Sequence, residues 1–79
     1  MITKRMLRVL EAIHNYINEY GYSPTIRELC EILDYCSTST VFTHLTNLEN
    51  GGYIERKVAS PRAIKITPKG ISTMFGGAL

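Results

Sequence analysis

Seventy-nine residues, 44% hydrophobic and 20% charged with 9% aromatic side chains, suffice for one small domain around a single modest core and leave no room for a second. No apolar run approaches the roughly 18 residues of a membrane span, and Met1-Ile2-Thr3-Lys4-Arg5 leads into Arg8 and Glu11 instead of a signal-peptide core, so the expected location is the cytoplasm. Cys30 and Cys36 are too few for a disulfide scaffold and lack companion ligands at zinc spacing, which predicts two reduced thiols and no metal.

The net charge of +2 conceals a segregation along the chain. Lys4, Arg5 and Arg8 open it without an acid; the stretch from 9 to 50 then sets Arg27 alone against Glu11, Glu19, Glu28, Glu31, Asp34 and Glu49. From Gly51 onward Arg56, Lys57, Arg62, Lys65 and Lys69 face only Glu55. A positive edge of this kind suits a polyanionic partner.

In chain order, Met6, Leu10, Ile13, Ile17 and Tyr20 recur at helical spacing, with Thr3 as cap and Gly21 as the left-handed stop, which predicts a helix over 3–20. Tyr22, Ser23 and Pro24 form a loop. Thr25 and Glu28 then stand three apart as a capping box, opening a short helix whose buried stripe is Ile26, Leu29, Cys30 and Leu33 and whose end falls near Asp34 and Tyr35, with Asp34 as the turn residue. A further hydroxyl cap, Ser37 or Thr38, precedes Val41, Leu45 and Leu48, a third helix that Gly51 and Gly52 terminate. Two short helices joined by a tight turn have the layout of a helix-turn-helix. The segment 53–58 reads as a strand, 59–62 as a turn and 63–67 as a second strand with Lys65 outward, ended by Pro68. The expected fold is therefore mainly α with a small β-hairpin: a winged helix-turn-helix of three helices plus a two-stranded antiparallel wing. It occupies 1–68, and 69–79 reads as an irregular tail or linker stub with Ile71, Met74 and Phe75 as anchors, open to three arrangements: a dimer contact, a disordered stub, or helix-like packing against helix one. There is no internal repeat or low-complexity tract.

The third helix carries the chemistry. Ser37, Thr38, Ser39, Thr40, Thr43 and Thr46 cluster with Phe42, His44 and Asn47. Hydroxyls can bond phosphates or either base class, asparagine can pair with adenine, and an apolar group can meet the thymine methyl. Phe42, one residue off the buried stripe, is expected to face outward, and His44 to hold a structural or backbone-contacting place. At the wing tip, Ser60 and Pro61 stiffen the turn so that Arg62, flanked by Lys57 and Lys65, is expected to project onto a phosphate or into a minor groove. No nucleophile–base pair, phosphate-cradling glycine loop or paired carboxylate points to an enzyme.

The stretch Ser37-Thr-Ser-Thr-Val-Phe-Thr-His-Leu-Thr-Asn-Leu-Glu-Asn-Gly-Gly-Tyr-Ile-Glu-Arg, with Ser60-Pro-Arg-Ala-Ile-Lys-Ile and the junction Gly21-Tyr-Ser-Pro-Thr-Ile-Arg-Glu-Leu, resembles the DNA-binding domain of the LexA family of bacterial SOS repressors over about residues 2–67. The resemblance implies a repressor that lays helix three in the major groove of an inverted-repeat operator and its wing along the backbone. It maps base reading to Ser37, Ser39, Thr40, Phe42 and Thr43 and matches His44. Phe42 departs from the polar residue usual at its position, and Asp34 from the usual glycine. The DNA-binding set expected is thus Ser37, Ser39, Thr40, Phe42, Thr43, His44, Asn47, Lys57, Ser60, Arg62 and Lys65. The family's self-cleaving peptidase domain has no counterpart in these residues, so neither catalysis nor a cofactor or small-molecule ligand is expected. The partner is double-stranded DNA at the nucleoid, with weak homodimerisation as the route to two half-sites. The chain reads as a small free-standing repressor of a phage or mobile element, or as a piece of a longer one. The competing reading is a winged-helix protein-interaction module in which the apolar tail or Phe42 docks a partner.

Overall fold

A computed structural model describes residues 2–34, 37–57 and 62–76. The elements run α1 (Lys4–Tyr20), α2 (Ile26–Leu33), α3 (Thr38–Asn50), β1 (Ile54–Arg56), β2 (Ile64–Ile66) and α4 (Pro68–Met74). Local chemistry sets the boundaries. Thr3 Oγ1 accepts the Met6 N–H at 3.1 Å, and Gly21, at φ 82°, closes α1 by donating to the Ile17 carbonyl. That left-handed conformation is open to glycine without the Cβ clash other residues incur. The capping box of α2 is complete: Thr25 N–H donates to Glu28 Oε1 at 2.9 Å and Glu28 N–H to Thr25 Oγ1 at 3.1 Å. Asp34 ends α2 at φ 59°, its N–H on the Cys30 carbonyl. Ser37 caps α3, and Tyr35 and Cys36 lie outside the described residues.

One apolar core joins these elements. Val9, Leu10 and Ile13 of α1, Leu29 of α2, and Val41, Leu45 and Leu48 of α3 are fully excluded from solvent, with Tyr53, Ile54 and Ile64 of the hairpin region sealing one side. Cys30 is a buried free thiol in this core. Removing a side chain such as Leu45 would cost about 2–5 kcal/mol, so α3 is held firmly by its inner face.

The hairpin is antiparallel, pairing Ile54 with Ile66, Glu55 with Lys65 and Arg56 with Ile64. Directly opposed residues share a face, so Glu55 and Lys65 face outward while Arg56 lies on the inner face with Ile54 and Ile64. Both strands are shorter than the sequence pattern predicts, and residues 58–61, which include Ser60 of the expected turn, lie outside the described residues. Ser23, only 3% exposed, accepts the Ile64 N–H on its Oγ at 3.2 Å and so fastens β2 to the α1–α2 loop.

Of the arrangements open to the tail, helical packing against α1 is the one observed, and the irregular stub is corrected. Pro68 ends β2 but also opens α4 as its first residue, with Thr67 as the cap accepting the Gly70 N–H at 3.1 Å. The division expected between 68 and 69 thus falls inside a helix, and the wing is followed by a fourth helix instead of an irregular stub. Gly70 is buried because α4 approaches the hairpin so closely that a Cβ there would press on the Tyr53 carbonyl oxygen and stand 2.8 Å from Ile66 Cγ2. Phe75 meets His14 of α1 edge-on at 5.4 Å between ring centroids.

Candidate nucleic-acid interface

Because Val41, Leu45 and Leu48 bury one side of α3, the opposite side is fixed toward solvent. Ser39, Thr40, Phe42, Thr43 and Asn47 are all exposed there, and Ser37 is exposed at the cap. Ser37 Oγ accepts the Ser39 N–H at 3.2 Å, and Thr43 Oγ1 donates to the Ser39 carbonyl at 3.0 Å. The Thr43 proton is therefore occupied within the helix, and its oxygen presents acceptor lone pairs outward. Phe42, 51% exposed, faces outward as the spacing predicts. His44 is half-buried at the edge of the face.

The basic wing is smaller than the sequence count implies. Of the five bases after Gly51, three make contacts within the fold, Arg62 and Lys69 while remaining exposed. Lys69 Nζ donates to the Gly51 carbonyl at 2.7 Å and lies 4.7 Å from the Tyr53 ring centroid. Arg56, which the sequence reading left out of the site, turns inward onto α3. Its Nε and Nη2 both donate to Glu49 Oε1 at 3.2 Å, Nη2 reaches Thr46 Oγ1 at 3.4 Å, and its Cζ sits 5.0 Å from the Phe42 ring centroid. The period-two pattern of β1 contained the signal: 54 and 56 share a face, so an arginine at 56 must find polar company on α3.

Arg62 is the main departure from expectation. Instead of projecting from the wing tip, its guanidinium folds back on the α1–α2 junction. Nη1 donates to the Ser23 carbonyl at 3.2 Å and reaches Tyr16 Oη at 3.5 Å, Nη2 donates to Glu28 Oε2 at 3.0 Å, and Cζ lies 4.7 Å from the Tyr22 ring centroid. With the second contact to Glu28 Oε1 at 3.0 Å the pair is bidentate. The Arg62 fork, together with the Thr25 N–H, holds the Glu28 carboxyl at a pKa of about 2, well below its ordinary range. A bidentate carboxylate, a carbonyl and an aromatic face together satisfy a planar guanidinium better than solvent at a turn tip does. Lys57 and Lys65 remain exposed, Lys65 directly across the hairpin from Glu55.

Among the described residues no three His, Cys, Asp or Glu side chains gather as a metal set, and no helix is long and apolar enough to cross a membrane. A shallow groove of about 320 Å³ between α1 and α4 is lined by Glu11, His14, Asn15, Met74 and Phe75. Its mixed lining contrasts with the hydroxyl-rich α3 face.

Comparison with known proteins agrees with the geometry. The family model of the LexA DNA binding domain matches residues 1–63. Similar proteins include the LexA repressors of Lactiplantibacillus plantarum, 44% identical over 70 residues, Caldicellulosiruptor saccharolyticus, 51% over 65, and Carboxydothermus hydrogenoformans, 41% over 66. These alignments cover 89%, 82% and 84% of this chain but 33%, 32% and 32% of the respective relatives, so the chain spans about a third of their length.

Proposed function

We propose that the chain, which belongs to the LexA DNA-binding domain family, binds double-stranded DNA sequence-specifically as the operator-reading part of a transcriptional repressor. In this reading α3 enters the major groove of an inverted repeat and the hairpin follows the adjoining backbone. The observation that carries it is the outer face of α3. Five exposed side chains, none acidic, offer hydroxyl, amide and aromatic groups from a helix whose opposite side is immobilised in the core. Ser39, Thr40, Phe42, Thr43 and Asn47 read base edges, while Ser37 at the helix start and Lys57 and Lys65 on the wing meet phosphate. Ser60 belongs to the backbone-contacting tip. His44 supports the helix from its edge. Arg62 acts through the wing it anchors.

A single module covers one half-site, so affinity is modest unless two copies assemble on the repeat. Weak self-association on DNA is therefore part of the proposal, as are a cytoplasmic, nucleoid-bound location and a regulatory setting in the SOS response. Recognition by this surface involves no cofactor and no catalytic step.

The test is fluorescence anisotropy of the chain on a labelled random-sequence duplex pool at about 50 and about 200 mM salt, where each phosphate contact contributes about −0.9 to the log–log slope. With Lys57 and Lys65 as the wing cations, a slope of about −2 or steeper supports the reading and opens the way to selecting the operator. Absence of binding at the lower salt refutes it and directs attention to a protein partner at the exposed Ile71 and Phe75.

A further inference from the structure

Phe42, Thr46 and Glu49 follow one another at i, i+4 and i+7 and form a stripe along the border between the outer face of α3 and the hairpin. Arg56 reaches this stripe from the inner face of β1 and touches all three residues. Its side chain is 20% exposed and that of Glu49 39%, so the ion pair sits at the rim of the surface assigned to DNA. Left alone, Glu49 would place a carboxylate beside incoming phosphates, and the Phe42 ring would retain its rotamer freedom until binding froze it. The guanidinium removes both disadvantages at once, neutralising the carboxylate and supplying a cation against the ring face.

We propose that Arg56 is a positioning residue for base recognition: tethered by Glu49, it holds the Phe42 ring in the attitude in which that ring meets an apolar base group, the thymine methyl, in the major groove. The inference rests on the placement of α3 in the groove and adds to it a residue outside the recognition helix. Ordering the ring before binding lowers the entropy lost on association, and only where the ring finds its complementary base does this appear as affinity. Lysine cannot replace arginine here, because the contact needs a planar group that spans the carboxylate and the ring together.

The experiment compares the wild-type chain with Arg56→Ala, Arg56→Lys, Phe42→Ala and the Arg56→Ala/Phe42→Ala double variant. Each is titrated by anisotropy onto a duplex selected from random sequence by the wild-type chain, and onto the random pool, at about 50 and about 200 mM salt. Arg56→Ala is expected to lower the ratio of selected to random affinity about fivefold; the Glu49 carboxylate it uncovers weakens binding to both DNAs alike and cancels in the ratio. Arg56→Lys should recover less than half of that ratio. In the Phe42→Ala background the Arg56 change should alter the ratio less than twofold, since its effect passes through the ring. Should Arg56→Ala not fold, Arg56→Gln, which keeps part of the aliphatic stem and an amide donor but removes the charge and the planar fork, carries the same comparison. The proposal is overturned by an unchanged ratio, by an equal loss on both DNAs with the slope reduced by about 0.9, or by a fivefold effect that persists without Phe42. Failure of the wild-type chain itself to bind would overturn the DNA reading; wild-type binding with an unmoved ratio in the variant overturns this inference alone.

Discussion

Replacing Gly70 by alanine tests the docking of α4 on the wing. A Cβ added there would press on the Tyr53 carbonyl oxygen, stand 2.8 Å from Ile66 Cγ2 and lie 3.3 Å from the Tyr53 carbonyl carbon. Two of these three atoms belong to the backbone at the foot of β1, so no side chain can swing aside to make room. Overpacking costs about 1–3 kcal/mol, and a clash with backbone that cannot swing aside places this one in the upper part of that range, at about 2–3 kcal/mol. Against it, alanine gains about 0.8–1 kcal/mol over glycine inside a helix. The steric term wins, leaving a net loss of about 1–2 kcal/mol. In a domain of this size each kcal/mol corresponds to about 4–8 °C in Tm, so thermal unfolding followed by circular dichroism should show a fall of roughly 5–15 °C. Ser72→Ala, at an exposed position of the same helix, should leave Tm unchanged or slightly raised and controls for helix propensity. A Gly70→Ala chain melting at or above the wild-type temperature would show that α4 does not pack on Tyr53, and the four-helix description would fail with it.

Ser23→Ala should cost about 1–3 kcal/mol in chemical unfolding, because it strands the buried Ile64 N–H without its acceptor. The depressed Glu28 pKa means that its contribution to stability is present above the ordinary carboxylate value of 4.5 and is lost as pH falls toward about 2. Glu28→Gln should therefore lower Tm at pH 7 and narrow the Tm difference between pH 7 and pH 3 relative to wild type; an equal difference in both proteins would contradict the bidentate contact. Lys57→Ala and Lys65→Ala should each flatten the DNA salt slope by about 0.9, whereas Arg62→Ala should lower Tm by several degrees and leave the slope as it was. A flattened slope in Arg62→Ala would return that residue to the DNA. Ser39→Ala should change the ranking of sequences recovered from a random pool more than overall affinity, and an unchanged ranking would remove Ser39 from the base-reading set.

The helices were legible because their signals are local. Met6, Leu10 and Ile13 repeat at helical spacing, Thr25 and Glu28 form a cap that needs only four residues to recognise, and Val41, Leu45 and Leu48 state which side of α3 is buried; the opposite side followed by geometry. What stayed hidden depends on contacts distant in sequence. Arg62 joins Glu28 and Ser23, 34 and 39 residues earlier, and nothing within the wing announces that a guanidinium at its tip will turn back. Arg56 was obscured because counting it among the bases of the segment ignored its register position. Helix α4 was only one of three arrangements open to the tail because its glycines weaken a helical pattern, although Thr67-Pro68 is a sound helix start and Gly70 is required where α4 crosses Tyr53.

The two arginines give the wing a mechanical character that its composition does not convey. Arg56 ties β1 to α3 through Glu49, and Arg62, just before β2, ties that strand to the α1–α2 junction through Glu28 and Ser23. The hairpin is thus fastened on both strands to the elements that carry the recognition helix, and Ser23 adds a backbone bond between them. A wing held in this way cannot adjust its angle to the DNA independently of α3. In the proposed docking, phosphate contacts by Lys57 and Lys65 would then fix the register in which Ser39, Phe42 and Thr43 meet the bases, because a rigid body seated on the backbone at one end is placed in the groove at the other. Loosening either tether should therefore relax sequence preference before it abolishes binding, the reverse of what removing a wing lysine does.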